Sequence, residues 1–161
     1  MKELHGWTLL FHACLVDQLG RLLKAVERDK ASDPQHYESN ANYKLFSALS
    51  RLMLETIPLD PGKDAYRQGT TMGPRWKHWR RAKVGQRFRL FYRYDSATKI
   101  IIYAWVNDTE TLRNAGSKTD PYEVFKRMLE RGNPPDTWQE LVAGSTPASG
   151  FQAPADLETH P

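Results

Sequence analysis

The segment RWKHWRRAKVGQRFRLFYRY, residues 75–94, contains eight Lys or Arg residues, no Asp or Glu, and aromatic residues between the cations. The turn Val84-Gly85-Gln86 divides it into the two strands of a predicted hairpin. Because side chains alternate between the faces of a strand, Trp79, Arg81 and Lys83 share one face of the first strand. The same rule groups a second set on one face of the second strand: Arg87, Arg89, Phe91 and Arg93. When the two strands pair in register, these seven residues form one cationic, aromatic surface, which we call the basic face.

The size and charge of the chain favour one basic domain. With 161 residues it is long enough for one core and too short for two. The net charge of +4 is modest, but the excess is concentrated between residues 65 and 94, and concentrated positive charge attracts polyanions. The single cysteine, Cys14, excludes an internal disulfide and is typical of a reducing compartment. The longest apolar run, Ile100–Val106, is far shorter than the roughly 20 residues of a membrane span, so we expect a cytoplasmic protein without a membrane partner.

The first 60 residues predict a short strand followed by two helices. Residues 6–12 are rich in aromatic and β-tolerant types and favour an opening strand. Leucines then recur at helical spacing in two blocks, which predicts two antiparallel helices with a break near residues 30–34. Asp33 and Pro34 suit the cap and first position of the second helix, and Pro58 suits its end.

The remainder predicts a sheet and a closing helix. Strands are expected over residues 79–84, 87–94 and 99–106, and the apolar triplet Ile100–Ile102 is typical of a central strand covered on both faces. Asp120 and Pro121 suit the start of a last helix. We expect this helix and the two early ones to pack on one face of a mainly antiparallel sheet of three or four strands. The inner set beneath them is Phe88, Leu90, Tyr92 and Tyr94.

This α+β arrangement leaves the basic face open to solvent. From Gly144 onward the sequence is rich in Pro, Gly and Ser and poor in groups that could form a core. We therefore expect one domain over residues 1–143 and a disordered tail over residues 144–161.

Several common enzyme motifs are absent from the sequence. The basic segment has no carboxylates to hold Mg²⁺, and the five histidines and one cysteine have no zinc-ligand spacing. Neither a GxxxxGK[ST] phosphate loop nor a GxSxG nucleophile motif occurs. A nuclease built on this sequence is predicted to need no metal and no cofactor.

RNA can be cleaved without metal when its own 2′-OH attacks the adjacent phosphate. The protein must align that attack, stabilise the added negative charge and move protons, and fixed cations perform the second task. Arginine suits this role because it grips phosphate through a two-pronged fork. Trp79 and Phe91 could hold an unstacked base. Further candidates near this surface are the possible proton carrier His78 and the possible pocket residues Asn107, Asp108 and Arg113.

Three interpretations of the basic segment stay open at this point. In the first, the Lys and Arg residues only protect an edge strand from aggregation between sheets, as they often do. A non-catalytic module could bind RNA or the ribosome and block translation by occupancy. A nuclease would instead release new RNA ends.

Several short motifs resemble the YhaV toxins of the RelE superfamily. The similarity extends from about Gly6 to Leu141, and the motifs are specific only when taken together. They are Tyr66-Arg67-Gln68-Gly69, Met72-Gly73, residues 79–85, residues 87–94, Trp105-Val106-Asn107-Asp108, Thr111-Leu112-Arg113, Lys118-Thr119-Asp120 and Pro134-Pro135.

The resemblance implies a RelE-like fold and a type II toxin. Such a toxin is a ribonuclease that cuts messenger RNA in association with the ribosome, arrests growth, and is neutralised in a hetero-oligomer by a PrlF-type antitoxin. By resemblance the catalytic residues are Arg81, Lys83, Arg89 and Arg113. The expected RNA-binding residues are Trp79, Arg87, Phe91, Arg93, His78 and Asn107. Arg80 stands where many relatives have serine, which adds charge, and the residue that carries the proton does not transfer from the family.

Overall fold

Six strands form one sheet in the computed structural model, which describes residues 3–147. They are β1 (Glu3–Leu4), β2 (Trp7–His12), β3 (Arg80–Val84), β4 (Phe88–Asp95), β5 (Ile100–Val106) and β6 (Ser145–Pro147). The order across the sheet is β1-β2-β5-β4-β3, and β6 pairs with the part of β2 that β1 leaves free. Strands β2 and β5 are parallel, whereas the other pairs are antiparallel. The opening strand and the three later strands are confirmed, and the sheet is larger than predicted because β1 and β6 are too short to show periodicity.

The helices are α1 (Ala13–Ser32), α2 (Ala41–Arg51), α3 (Ile57–Leu59), α4 (Pro121–Glu130) and α5 (Trp138–Ala143). A wider π-helical turn, Leu52–Thr56, joins α2 to α3. The predicted cap of the second helix at Asp33 and Pro34 is wrong, because Asp33 instead ends α1 through its N–H bond to the carbonyl of Asp29. Proline restricts the residue before it to extended conformations, so this pair terminates a helix rather than starting one. The predicted start of α4 is confirmed, since the Asp120 side chain accepts from the Tyr122 N–H.

Helices cover both faces of the sheet, which corrects the prediction that all of them lie on one face. Helices α1 and α2 pack on the face of the predicted inner set, with Leu90 and Tyr92 buried and Phe88 and Tyr94 partly buried. Helices α4 and α5 pack on the opposite face, where Phe125 contacts Phe91 and Trp105. The reason is that β4 and β5 carry large apolar side chains on both faces, as the triplet at the start of β5 indicated.

A β-bulge in β5 determines which residues meet at the end of the sheet. Phe91 pairs with Trp105 and Tyr92 pairs with Tyr103, so Ala104 is the extra residue. Ala104 and Trp105 consequently both belong to the core beneath α4, while Val106 belongs to the core beneath α1 and α2.

The carboxyl-terminal boundary lies later than predicted. Strand β6 pairs with Leu10, Phe11 and His12, so residues 145–147 belong to the sheet and not to a tail. The remainder of the predicted tail, residues 148–161, lies outside the described residues. Within residues 3–147, no helix has the length and apolar character that crossing a membrane requires.

Candidate functional site

The β3–β4 hairpin pairs in a register that puts the two halves of the basic face side by side. Arg81 lies opposite Phe91, and Lys83 lies opposite Arg89. The face is nevertheless divided into a buried aromatic end and an open cationic end, because α4 covers only part of it.

The aromatic end is part of the core. Trp79 and Phe91 have no exposed surface. The Phe91 ring stacks on Phe125 at 4.4 Å between centroids, and the Trp79 ring meets Phe125 edge-on at 5.0 Å. The predicted stacking of Trp79 and Phe91 on an RNA base is therefore wrong, since both rings are already packed against α4. The apolar stripe of α4 was visible in the sequence and needed such partners, which is the signal that the prediction overlooked.

Arg93 and His78 both contact Asp136 at the aromatic end of the face. The Arg93 guanidinium donates to the Asp136 backbone carbonyl and lies between the rings of Trp79 and Trp138, at 5.6 and 5.4 Å from their centroids. Its burial lowers the pKa of Arg93. The His78 ring nitrogen Nε2 lies 2.6 Å from Asp136 Oδ1, which also accepts from Trp79 Nε1 at 2.9 Å. Burial raises the pKa of Asp136, but the hydrogen bonds from His78 and Trp79 outweigh it and hold that pKa below its ordinary value.

These contacts hold His78 and Arg93 beside Asp136, although His78 stays exposed. Trp79 directly precedes β3 and is four residues from Lys83, or about 13 Å at roughly 3.3 Å per residue. Both side chains thus anchor the segment around Asp136 and do not meet the open end of the face.

The open end gathers four cations, Lys83, Arg87, Arg89 and Arg113, which we call the cationic cluster. Arg113 joins through its backbone: its N–H donates to the Arg87 carbonyl at 3.0 Å, and Arg87 Nε donates to the Arg113 carbonyl at 3.3 Å. Lys83 and Arg87 are exposed. The loop after β5 therefore brings a fourth cation, the predicted candidate Arg113, beside the hairpin.

Arg89 is buried without a carboxylate partner. It is 7% exposed, and its Nη1 donates to the carbonyls of Gln86 at 2.8 Å and Phe88 at 2.9 Å. Its Nε is buried and has no hydrogen-bond partner, and no ion pair joins Arg89 to an acid within residues 3–147. A buried cation is unfavourable unless a charge compensates it. An anion at the mouth of this position would supply that charge.

Arg113 is held rigidly at the edge of the cluster. Its Nη1 lies 2.6 Å from Asp120 Oδ1, and its guanidinium lies 4.6 Å from the centroid of the Tyr122 ring. Asp120 is 2% exposed and also accepts from the backbone N–H groups of Asn114 and Tyr122, at 2.8 and 3.1 Å. The carboxylate that caps α4 thereby fixes the direction of the Arg113 side chain.

Arg81 is braced against a neighbouring segment. Its Nη1 and Nη2 donate to the carbonyls of Ala65 and Arg67, at 3.2 and 3.0 Å, and its Nε is buried without a partner. Arg81 adds positive charge two residues from Lys83, but its terminal nitrogens already hold the chain that precedes β3.

Asn107 is buried and holds backbone groups of two segments. It is 1% exposed, so the prediction that it contacts RNA is wrong. Its Oδ1 accepts from the Arg89 N–H at 2.6 Å, and its Nδ2 donates to the carbonyls of Arg87 at 3.0 Å and Thr111 at 2.8 Å. Both amide hydrogens are therefore used, and the side chain ties the start of β4 to the loop that carries Arg113.

The acidic residues in the described part of the chain do not form the ligand sets that metal ions require. Across residues 3–147, no group of three or more His, Cys, Asp or Glu side chains could hold a metal ion.

Comparisons with known proteins agree with one another. Residues 9–146 match the Toxin_YhaV family model, described as a toxin with endonuclease activity, of toxin-antitoxin system. The chain is 40% identical over 143 residues to the Ribonuclease toxin YhaV of Escherichia coli strain K12, which covers 88% of this chain and 93% of that protein. Toxin YhaV of Escherichia coli O6:H1 shows the same identity and coverage. No solved structure matches the chain.

Proposed function

This chain belongs to the YhaV family and is an endoribonuclease, the toxin of a toxin-antitoxin system, and from that premise we propose where and how it cuts RNA. The cationic cluster is the proposed site, and messenger RNA is the proposed substrate. The observation that carries the proposal is the buried, uncompensated guanidinium of Arg89. A phosphate that docks there replaces the missing counter-charge.

The proposed chemistry uses the 2′-OH of the substrate as the nucleophile. Its oxygen bonds to the adjacent phosphorus, its proton leaves, and the bond to the 5′-oxygen of the next nucleotide breaks as that oxygen takes up a proton. The products are a 2′,3′-cyclic phosphate and a 5′-OH, so the proposed reaction requires neither an added nucleophile nor a metal. The cations act on the phosphorane, whose negative charge exceeds that of the ground state.

The members of the cationic cluster have different proposed roles. Arg89 binds the phosphate most strongly because burial weakens competition from water. Lys83, which lies opposite it, stabilises the transition state, and Arg113, whose Nη1 is paired with Asp120, adds positive charge from the edge of the cluster. Arg87 is exposed and positions the strand, while Arg81 adds charge from the edge strand.

Lys83→Ala tests the site with little risk to folding, because the side chain is exposed and makes no hydrogen bond among the described residues. We expect a loss of cleavage of about a hundredfold, in the range typical of one oxyanion-stabilising donor. The matched control is Lys24→Ala on α1, which is also exposed and removes the same charge. Equal activity of the two variants would remove Lys83 from the mechanism.

The mechanism itself is tested on the substrate. An RNA with a single 2′-deoxy nucleotide at the scissile position should resist cleavage there, and the natural RNA should yield cyclic phosphate ends. Addition of EDTA should leave the rate unchanged. Cleavage of the deoxy substrate, or abolition by EDTA, would contradict the proposed chemistry.

We further propose that the toxin acts on ribosome-associated message in the cytoplasm and is neutralised by a PrlF-type antitoxin in a hetero-oligomer. The toxin-antitoxin family supports a protein partner, and the basic surface supports an acidic segment in it. Coexpression followed by size measurement tests the complex, and ribosome profiling of nicked message tests the association with ribosomes.

The fold supports a RelE-like arrangement as an inference. The supporting features are the antiparallel order β5-β4-β3 and the helical pair on one face of these strands. An experimental structure superposed on a RelE toxin tests it.

A further inference from the structure

A groove lies next to the cationic cluster, on the side of the hairpin that faces α2. It has a volume of about 450 Å³. Most of its lining comes from α2 and the π-helical turn after it, and the rest includes the hairpin tip at Lys83, Val84 and Gly85. This volume is within the range of small-molecule sites, roughly 300–1,000 Å³.

Three cations line this groove. Lys44 and Arg51 come from α2, and Lys83 comes from β3. One acidic residue, Glu38, also lines the groove, and no ion pair joins the three cations to any acid within residues 3–147. Lys44 and Arg51 are seven residues apart, which is nearly two helical turns, so they project from the same side of α2. The groove therefore carries an excess of positive charge, and two of its three cations lie along α2.

Part of the groove wall is apolar. Leu52 and Val84 contribute to it, and Ala48 leaves room between the two basic positions of α2. A site with cations along one side and an apolar surface between them matches the two parts of a nucleotide, its phosphate and its base.

Lys83 connects the groove to the proposed site of cleavage. It lies opposite Arg89 in the cationic cluster and also lines the groove. A strand of RNA that passes over the hairpin edge at Lys83 would meet phosphate-binding groups on both sides.

We propose that this groove is a second RNA subsite, which holds a nucleotide flanking the scissile phosphate with Lys44 and Arg51 on its phosphates. The inference rests on the proposed function of the cationic cluster. A protein segment is the less favoured occupant, since a stable protein interface involves roughly 20–30 residues on each side and this groove is lined by 11.

The test compares binding of RNA by two double variants. Lys44→Ala with Arg51→Ala removes the proposed contacts, and Lys24→Ala with Arg28→Ala removes the same charge from the exposed surface of α1. All four positions are exposed and alanine favours helix, so both proteins should fold. The probe is a fluorescent RNA carrying a 2′-deoxy nucleotide at the scissile position, whose anisotropy is followed over a salt series.

We expect the groove variant to bind this RNA at least tenfold more weakly than the control variant at low salt. The plot of log affinity against log salt should be shallower for the groove variant than for the control variant, by about 1.4 in the magnitude of its slope. The reason is that each of the two lost phosphate contacts on a single strand contributes about 0.7. On natural RNA the KM should rise by a similar factor while kcat stays near the wild-type value. A substrate shortened to the scissile dinucleotide should be cleaved equally by both variants.

Equal affinity and equal salt slope for the two double variants would overturn the second subsite. So would loss of antitoxin binding by the groove variant with RNA binding intact, which would assign the groove to a protein. Failure of the proposed function is distinct, because then Lys83→Ala would cleave the natural RNA as fast as Lys24→Ala.

Discussion

Asn107→Ala is the most informative perturbation of the site. The substitution removes three hydrogen bonds, those to the Arg89 N–H, the Arg87 carbonyl and the Thr111 carbonyl. Each bond contributes about 1 kcal/mol, so the free energy of unfolding should fall by about 3 kcal/mol. The matched control is Asn42→Ala, whose amide makes one partly buried bond to Asp29 at 3.1 Å and should cost about 1 kcal/mol.

Urea denaturation measures both free energies, and cleavage is then assayed below the unfolding transition. The Asn107 variant should retain RNA affinity but lose kcat, because the loop carrying Arg113 is no longer tied to β4. If Asn107→Ala weakened RNA binding and left stability at the level of the control, the residue would be an RNA ligand after all, and the positioning role would be refuted.

Three further outcomes follow from the contacts. Phe91→Ala should lower the unfolding free energy by about 3–5 kcal/mol while the folded fraction binds RNA normally; normal stability with weak binding would restore the stacking role. Arg113→Lys keeps the charge but loses the planar contact with Tyr122, so cleavage should fall about tenfold with a small change in thermal midpoint, and an unchanged rate would show that charge alone matters. The lowered pKa of Asp136 means that its stabilising effect is present above the ordinary value of 3.8 and is lost as the pH falls through the lower folded value. Acid unfolding of Asp136→Asn should accordingly depend less on pH below about 4 than that of the wild type, and identical acid curves would remove Asp136 from the stability of this end of the face.

Alternation within the hairpin was readable from the sequence because it is a local property. It correctly grouped Arg81 and Lys83 with Arg89, since a strand fixes the faces of its residues without reference to the rest of the chain. Which part of that face stays open depends on where α4 packs, and that is a long-range property. The prediction therefore kept Phe91 at the surface, although it lies beneath Phe125.

Two other features were beyond local patterns. The bulge at Ala104 is a property of the pairing between two strands, and it sets the face of Val106 just before Asn107. The loop that brings Arg113 to Arg87 closes over 26 residues, and a distance of that kind depends on the fold rather than on spacing in the sequence.

The pairing of β6 with β2 links the earliest and latest described parts of the chain. During synthesis, β2 emerges well before Ser145–Pro147, and until then its outer edge beyond β1 is unfilled. Contacts so far apart form late in folding, and an unfilled strand edge invites pairing with other chains. A chain that ends before residue 145 would thus expose the edge of β2 and tend to aggregate. Such truncated proteins would be lost for a reason unrelated to RNA cleavage.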